Sequence, residues 1–194
     1  MLIKKLLLIG LLSLTACSQQ KVEPVSTEAQ VDVPEVVSVP EPAKPASSLP
    51  VVKDGVKANK IVVDKSDRTL ILFDGQTEIA RYANIRFGDA PNGHKQFEGD
   101  EKTPEGDYTI DGRNPGSSYH LSLRVSYPNA ADTAFAQSKG KSAGGDIFIH
   151  GQPNGYTGPT IARDWTDGCI ALSNAEIQQI WKLVPDGAKI TIQP

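Results

Sequence analysis

The chain changes character near residue 57, and this change limits what can fold. Residues 18–57 contain no aromatic residue and are interrupted by six prolines: Pro24, Pro34, Pro40, Pro42, Pro45 and Pro50. Such a segment cannot bury enough apolar surface to offset the entropy lost on ordering. We therefore predict a disordered, Pro-rich tether over residues 17–57 and one domain over residues 58–194. The alternative for the tether is a segment that orders on a partner.

The N-terminus is typical of an export signal. A lysine pair at residues 4–5 precedes an apolar stretch at residues 6–14 that is too short to span a bilayer. Residues 14–17 read Leu-Thr-Ala-Cys and resemble the lipobox of bacterial lipoproteins. This resemblance implies a signal peptide over residues 1–16 and lipidation of Cys17, with Ser18 favouring the outer membrane. An ordinary cleaved signal with an incidental cysteine is the alternative.

The charge and the histidine content of the chain exclude two classes of function. The formal net charge is −3, and removal of the N-terminal lysine pair would take it to −5. A mildly acidic chain has no basic stripe, so we do not expect nucleic-acid binding. No stretch after residue 16 is apolar enough to cross a membrane. Three scattered histidines and one cysteine in the predicted domain form no zinc pattern, so no metal is expected.

Short apolar runs separated by glycine- and proline-rich loops predict a domain that is mainly β with minor α. The runs at residues 61–63 and 70–73 flank a turn-like stretch at residues 65–68 and are typical of a hairpin. Five further strands are predicted, over residues 78–85, 106–110, 121–126, 146–150 and 189–192.

One helix is clearly marked in the sequence. The Ser-Asn-Ala-Glu stretch at residues 173–176 is a capping-box pattern. An apolar face at helical spacing follows it: Ile177, Ile180, Trp181 and Val184. We expect Trp181 in the core and the helix to end at residues 185–187. A second, weaker helix is predicted over residues 130–138.

Cys169 is the one cysteine that remains once Cys17 is assigned to the anchor. An unpaired thiol in an exported chain is a candidate reactive group. A thiol nucleophile needs an imidazole partner, and His150 ends a predicted strand where a cleft can form. The main-chain N–H groups of Gly168 and Cys169 could then face a developing oxyanion. The alternative is a structural cysteine and a histidine that is fully hydrogen-bonded at the end of its strand.

Three stretches of the domain carry a family resemblance. Residues 149–151 read Ile-His-Gly, residues 166–170 read Thr-Asp-Gly-Cys-Ile followed by Asn174, and residues 99–106 read Gly-Asp-Glu-Lys-Thr-Pro-Glu-Gly. Together they resemble the L,D-transpeptidase family over residues 58–194. The resemblance implies a β-rich mixed sandwich and an enzyme that needs no cofactor.

The resemblance also implies a reaction. Cys169 would attack the carbonyl of a diaminopimelate residue in a peptidoglycan tetrapeptide, D-Ala would leave, and a thioester would form. An amine on a neighbouring stem peptide, or on a protein such as a wall-attached lipoprotein, would then resolve the thioester. His150 would move the protons, and the backbone carbonyl of Gly151 would orient its imidazole.

The sequence departs from the family pattern at two positions. Asp167 stands where the family usually has a second histidine, and Ala171 stands where many members have an arginine that meets a substrate carboxylate. A carboxylate aimed at the sulfur would raise the pKa of the thiol. Our hypothesis is that Arg163, from the preceding loop, offsets both changes.

Three other residues are candidates for substrate binding. Trp165 lies beside the cysteine motif and is interpreted as a cleft wall, with a core anchor as the alternative. Tyr119 and His120 precede a predicted strand and are candidates for the cleft or for a solvated edge. His94 lies in a loop without ligand spacing and is interpreted as structural.

These observations favour a lipid-anchored periplasmic protein, in the outer membrane of a Gram-negative cell, with a cysteine-dependent L,D-transpeptidase domain that builds or shapes the wall. A second hypothesis keeps the fold and makes the protein a cysteine hydrolase of diaminopimelate-linked wall bonds. A third is a tethered wall-binding module in which Cys169 is inert.

Overall fold

The computed structural model describes residues 49–194 of the chain. The predicted signal peptide at residues 1–16, the lipidated Cys17 and most of the predicted tether lie outside the described residues. Within residues 49–194 there is no helix long and apolar enough to cross a membrane. No group of three or more His, Cys, Asp or Glu side chains in the same range is placed to hold a metal ion.

Strands outnumber helices in the regular secondary structure of the described residues, which confirms the predicted fold class. The strands are β1 (Lys60–Asp64), β2 (Thr69–Asp74), β3 (Thr77–Ala83), β4 (Gly106–Asn114), β5 (Ser122–Val125), β6 (Phe148–His150), β7 (Ile170–Ala171) and β8 (Lys189–Gln193). The helices are α1 (Ala130–Ser138) and α2 (Asn174–Leu183). The predicted hairpin is β1–β2, an antiparallel pair. The predicted sixth strand is shorter than expected, since only its last three residues pair.

All eight strands belong to one mixed sheet in the order β3-β2-β1-β8-β4-β5-β6-β7. The β1–β8 and β6–β7 pairs are parallel and the other pairs are antiparallel. The register of β4 shifts between Ile110 and Gly112, where a bulge bends the strand. The segment after β3 returns to the far edge, where Arg86 and Ala171 exchange hydrogen bonds of 2.8 and 2.9 Å. The sheet is therefore curled, and β7 has a partner on each side.

The strands form because their apolar side chains alternate onto a common core. Ile61 and Val63 of β1 and Leu70 and Leu72 of β2 are fully buried, and β8 adds Ile190. Burial of each such side chain contributes about 1.5–3 kcal/mol relative to exposure. Burial of these core side chains is therefore the main contribution to the stability of the domain and of the loops around it.

Helix α2 begins as its sequence predicts. The hydroxyl of Ser173 accepts from the backbone N–H of Glu176 at 3.3 Å, and the Glu176 carboxylate accepts from the backbone N–H of Ser173 at 2.9 Å. Ile177 and Ile180 are fully buried. Trp181 is partly buried against the core, with the guanidinium of Arg113 4.7 Å from its ring centroid.

The end of the predicted tether lies against α2. The side-chain amide of Gln179 donates to the carbonyl of Pro50 at 2.7 Å, and Val52 packs on the core. The N–H of Ala58 donates to the carbonyl of Leu183 at 2.8 Å. The chain thus enters the domain along this helix.

Candidate active site

Strand register places Cys169 and His150 on one face of the sheet. In the parallel β6–β7 pair, Ile149 lies opposite Ile170 and His150 lies opposite Ala171. Side chains alternate along a strand, and neighbours in register share a face. Cys169, one residue before β7, therefore faces the same side as His150, while the two isoleucines, both fully buried, face the core.

The two side chains open into one cavity of about 460 Å³. Tyr119, Trp165 and Asp167, three of the candidates for substrate binding, also line it, and we call these three residues the rim. The sequence therefore identified five residues, from three separate segments, that the fold brings together. Their roles are considered under the proposed function.

Two of the predicted substrate-binding residues lie away from the cavity lining. His120 has a positive φ of 67° and its Nε2 lies 2.8 Å from the side-chain amide nitrogen of Gln178 on α2, so the ring is held at the helix surface. Arg163 is exposed and does not line the cavity. The hypothesis that Arg163 offsets the changes at positions 167 and 171 therefore gains no support from its position.

The imidazole of His150 is fixed in one orientation. It is 3 % exposed, and its Nδ1 donates to the carbonyl oxygen of Gly151 at 2.7 Å. A carbonyl can only accept, so the proton sits on Nδ1 and the lone pair of Nε2 remains for use as a base. Burial lowers the pKa of His150, and the bond to Gly151 opposes this effect. The ring is therefore neutral at pH 7.

Aromatic rings enclose this imidazole. The ring centroids of Tyr119 and Trp165 lie 4.7 and 5.5 Å from that of His150, and 5.7 Å from each other. Aromatic faces attract a cation, so they would stabilise the imidazolium that forms when His150 takes a proton. The indole N–H of Trp165 is buried and has no hydrogen-bond partner within the part of the chain that the structure describes.

The sulfur of Cys169 lies among main-chain groups and opposing charges. It accepts from the N–H of Phe148 at 3.4 Å and donates to the carbonyl of Asp146 at 3.5 Å. Burial raises the pKa of Cys169 to about 11, and the carboxylates of Asp167 and Asp146 add to the rise, whereas the Phe148 N–H and the Lys95 ammonium oppose it. The predicted effect of Asp167 on the thiol is thus present, although burial is the larger cause. At pH 7 the pair is a neutral thiol and a neutral imidazole.

The turn before Cys169 is held by a threonine hydroxyl. Thr166 donates from Oγ1 to the carbonyl of Cys169 at 2.8 Å and accepts from the N–H of Gly168 at 3.2 Å. The predicted oxyanion donor at Gly168 is therefore occupied, because a nearby hydroxyl competes for its N–H. The signal was present in the sequence, since Ser and Thr commonly accept from a backbone N–H two residues later.

The Gly-Asp-x-x-Thr-Pro stretch packs directly against the turn that precedes Cys169. Gly168 has a φ of +123°, and a Cβ at this position would collide with the carbonyl oxygen of Lys102. A Cβ on Gly88 would collide with the carbonyl oxygen of Glu101. We call residues 95–102 the floor loop. Glycine is required at both positions because backbone and backbone are in direct contact there.

Asp100 fixes the shape of the floor loop. Its carboxylate accepts backbone N–H groups of Gln96, Phe97 and Lys102 at 2.7, 3.0 and 3.1 Å. These bonds and that of Lys95 together lower the pKa of Asp100, although burial, the largest single influence, acts in the opposite direction. The carboxylate is therefore ionised at neutral pH and holds four donors at once.

Asn174, the last residue of the cysteine motif, supports the histidine side. Its Oδ1 accepts from the N–H of Gln152 at 2.8 Å. A Cβ on Gly151 would lie 2.5 Å from the same oxygen, so the glycine allows the close approach. Asn174 therefore holds the turn whose carbonyl orients His150.

Sequence reasoning missed two cations near the site. Lys95 belongs to the floor loop and is 3 % exposed. Arg86 lies directly opposite Ala171, on a segment without a predicted role. Neither has a sequence signal, because each reaches the site through a contact between segments far apart in the chain.

Comparison with known proteins places the chain in a family. A family model described as the L,D-transpeptidase catalytic domain (YkuD) matches residues 58–192. The Escherichia coli K12 protein named "Putative L,D-transpeptidase YafK" is 33 % identical over 105 residues, which cover 53 % of this chain and 35 % of that protein. The chain also resembles the crystal structure of the helical cell shape determining protein Pgp2 from Campylobacter jejuni, with 29 % identity and a TM-score of 0.56 over 71 % of this chain and 48 % of that one. It thus spans less than half the length of both relatives. The chain belongs to the L,D-transpeptidase catalytic domain family, as its three motifs predict.

Proposed function

We propose that this protein is a peptidoglycan L,D-transpeptidase that acts through a thioester on Cys169. The observation that carries the proposal is the shared cavity, in which Cys169 and an imidazole oriented by the Gly151 carbonyl face the same side of the sheet. A thiol, a base with a fixed tautomer and a third group that orients the base are the components of nucleophilic acyl transfer.

In the first half-reaction, the Cys169 sulfur attacks the carbonyl carbon of diaminopimelate in a tetrapeptide stem. Nε2 of His150 takes the thiol proton as the S–C bond forms. The amide C–N bond then breaks, and D-Ala leaves with the proton returned by the imidazolium. Because burial raises the pKa of Cys169, the thiol is the resting form, and in this proposal its proton is transferred to His150 as the sulfur attacks.

In the second half-reaction, an acceptor amine attacks the thioester. Its nitrogen forms the new amide bond while His150 takes one of its protons. The C–S bond breaks, and the imidazolium returns that proton to the sulfur. The acceptor is the side-chain amine of a neighbouring stem or the amine of a wall-attached lipoprotein.

The backbone N–H of Cys169 is the oxyanion donor in this proposal. It is the remaining member of the pair predicted from the sequence, because the Gly168 N–H donates to Thr166. A positioned donor of this kind typically contributes about 3–4 kcal/mol to transition-state stabilisation.

The rim is proposed to bind the stem peptides. Tyr119 and Trp165 present ring surface to a donor stem above His150. Asp167 is exposed at the same mouth, where its carboxylate would attract the cationic amine of an acceptor. The acidic residue that replaces the family histidine thus supports an amine acceptor in this chain.

Hydrolysis of the same thioester is the second candidate. The cavity is also lined by the polar residues Asn114 and Ser118, which could offer donors and acceptors to an ordered water. In that case water replaces the amine, and the protein cleaves diaminopimelate-linked bonds without forming new ones.

The cellular setting is also part of the proposal. The sequence of the N-terminus supports export and a lipid anchor on Cys17, which would place the domain in the periplasm on the outer membrane. Similarity to a helical cell shape determining protein supports a role in cell shape.

The test is a digest of sacculi and of purified disaccharide tetrapeptide by the wild-type protein and by Cys169→Ala, followed by muropeptide analysis with mass spectrometry. New cross-linked dimers or exchange of terminal D-Ala, absent with Cys169→Ala, would support transpeptidation. Cleavage products alone would favour hydrolysis. Identical profiles for the two proteins would overturn both candidates.

A further inference from the structure

Lys95 is a buried cation whose position the proposed reaction does not explain. Its side chain is 3 % exposed, and its ammonium donates to the Phe97 carbonyl at 3.1 Å and to the Asp100 carboxylate at 2.9 Å. Removing an ammonium from water costs several kcal/mol, and one ion pair seldom returns more than that. An apolar residue would fill the same space at lower cost, so its presence calls for another explanation.

A chain of direct contacts joins Lys95 to the nucleophile. Asp100, which binds the ammonium, also accepts the backbone N–H of Lys102 at 3.1 Å. The carbonyl of Lys102 lies against Gly168, so closely that no Cβ fits between them. Gly168 immediately precedes Cys169. The shape that Lys95 and Asp100 give to the floor loop is therefore transmitted to the turn that carries the sulfur.

The charges around Cys169 give Lys95 a second effect. Asp146 faces the sulfur from the loop before β6, Asp167 from the loop before β7, and the neutral His150 from β6 itself. Both carboxylates raise the pKa of the thiol, whereas the ammonium of Lys95, from the floor loop, lowers it. The Lys95 ammonium is buried, so it acts over a longer range than it would on the surface, whereas the carboxylates of Asp146 and Asp167 are exposed and are screened by water.

We propose that Lys95 is a positioning residue for the nucleophile: it holds the floor loop beneath Gly168 and supplies the positive charge that offsets Asp146 and Asp167 as sulfur becomes anionic. The inference rests on the proposed role of Cys169 and identifies a residue that acts on that sulfur from outside the cavity. It does not depend on whether water or an amine resolves the thioester.

Lys65 provides a matched control. Its side chain is 5 % exposed and forms an ion pair of 2.6 Å with Glu105. It also donates to the carbonyls of Gly93 at 2.8 Å and Thr103 at 3.4 Å, just beyond the two ends of the floor loop. The two lysines thus brace neighbouring parts of the same segment, but only Lys95 is among the charges that act on Cys169.

The experiment measures the rate at which iodoacetamide alkylates Cys169, as a function of pH, in the full chain. Lys95→Gln keeps the donors and removes the charge, Lys95→Met removes both, and Lys95→Arg keeps the charge. We expect both neutral variants to raise the alkylation midpoint by about 0.5–1 pH unit, which is about a three- to tenfold slower reaction at pH 7. Lys95→Arg should restore most of the rate. Lys65→Met should lower the thermal midpoint of unfolding and leave the alkylation midpoint unchanged.

Two results would overturn the proposal. One is an alkylation profile of Lys95→Gln equal to that of the wild type. The other is an equal shift in Lys95→Gln and Lys65→Met, which would mean that any loosening of the segment has the same effect. Parallel assays on sacculi separate this inference from the proposed function: a wild-type protein that alkylates as expected but leaves muropeptides unchanged refutes the proposed reaction and leaves the role of Lys95 standing.

Discussion

The rim lines the cavity and the floor loop lies outside it, against Gly168, and the two are built in opposite ways. In the floor loop, Lys95 is buried and Asp100 binds three backbone N–H groups, so the polar groups of the loop satisfy one another. On the rim, Tyr119 is 40 % exposed, Asp167 is exposed, and the Trp165 indole N–H has no partner within residues 49–194. We infer that the floor loop holds the turn that carries the sulfur, whereas the rim leaves the side chains of Tyr119 and Asp167 exposed for a substrate. Changes in the floor should therefore alter stability and thiol chemistry, and changes on the rim should alter substrate recognition.

The largest effect is expected at His150, which belongs to neither the floor loop nor the rim and lies in β6 beside both Tyr119 and Trp165. His150→Gln removes the base while an amide can still reach the Gly151 carbonyl, so kcat/KM on tetrapeptide should fall by about 10²–10⁴-fold. The thermal midpoint should change little, and circular dichroism would check this. A loss of less than tenfold would show that another group removes the thiol proton.

The next effect is a test of the floor itself. Gly168→Ala combines a φ of +123° with a collision against the Lys102 carbonyl, and we expect a loss of about 3 kcal/mol or more in the free energy of unfolding. Gly155→Ala is the control, since Gly155 has a φ of +78° and nothing within 4 Å of the added Cβ. Gly155→Ala should lower the free energy of unfolding by only about 1 kcal/mol. Equal losses in urea denaturation would show that the floor contact contributes nothing.

A smaller effect is expected on the rim. Trp165→Leu removes a ring that faces His150, so KM for the stem peptide should rise by about tenfold, which is the loss of one aromatic contact. Trp181→Leu is the control, because this ring packs on the core beside Arg113. That variant should lower the unfolding midpoint and leave KM unchanged. A raised KM in Trp181→Leu together with an unchanged KM in Trp165→Leu would contradict the assignment of Trp165 to the substrate wall and of Trp181 to the core.

The smallest effect concerns the charge on the rim. Asp167 raises the pKa of Cys169, so Asp167→Asn should lower it, increase the thiolate fraction at any pH below about 11 and speed iodoacetamide alkylation at pH 8 by about two- to fivefold. The exposed Asp54, changed to Asn, should leave the rate unaltered. A slower reaction in Asp167→Asn would mean that its carboxylate assists the thiol by a contact other than its charge.

Local patterns predicted the main elements and that Cys169 and His150 would face one cavity. The capping box at residues 173–176 and the apolar spacing after it predicted α2, and the apolar runs at residues 61–63 and 70–73 predicted the β1–β2 hairpin. Cys169 and His150 could be paired because a thiol nucleophile needs an imidazole and because His150 ends an apolar strand run, where a cleft can form. These features depend on residues near one another in sequence, where propensity and periodicity are informative.

The remaining features depend on contacts between distant segments. Lys95 and Arg86 gave no signal because an isolated cation in a loop has no periodicity. His120 was placed near the cleft by its neighbours in sequence, but its positive φ turns the ring towards Gln178 of α2. Gly168 was assigned a free N–H because spacing alone does not show that a threonine hydroxyl accepts it. In each case the path of the backbone in three dimensions decided the outcome.

The register of β7 is difficult to change because the strand is paired on both edges. A slip of one residue in this strand would turn the sulfur from the cavity into the core, and it would have to break the ladders with both β6 and the Arg86 segment. The exposed stretch at residues 155–160, between His150 and Cys169, belongs to no strand ladder. Insertions there could reshape the approach to Cys169, while the β6–β7 register would still place Cys169 and His150 on the same face of the sheet.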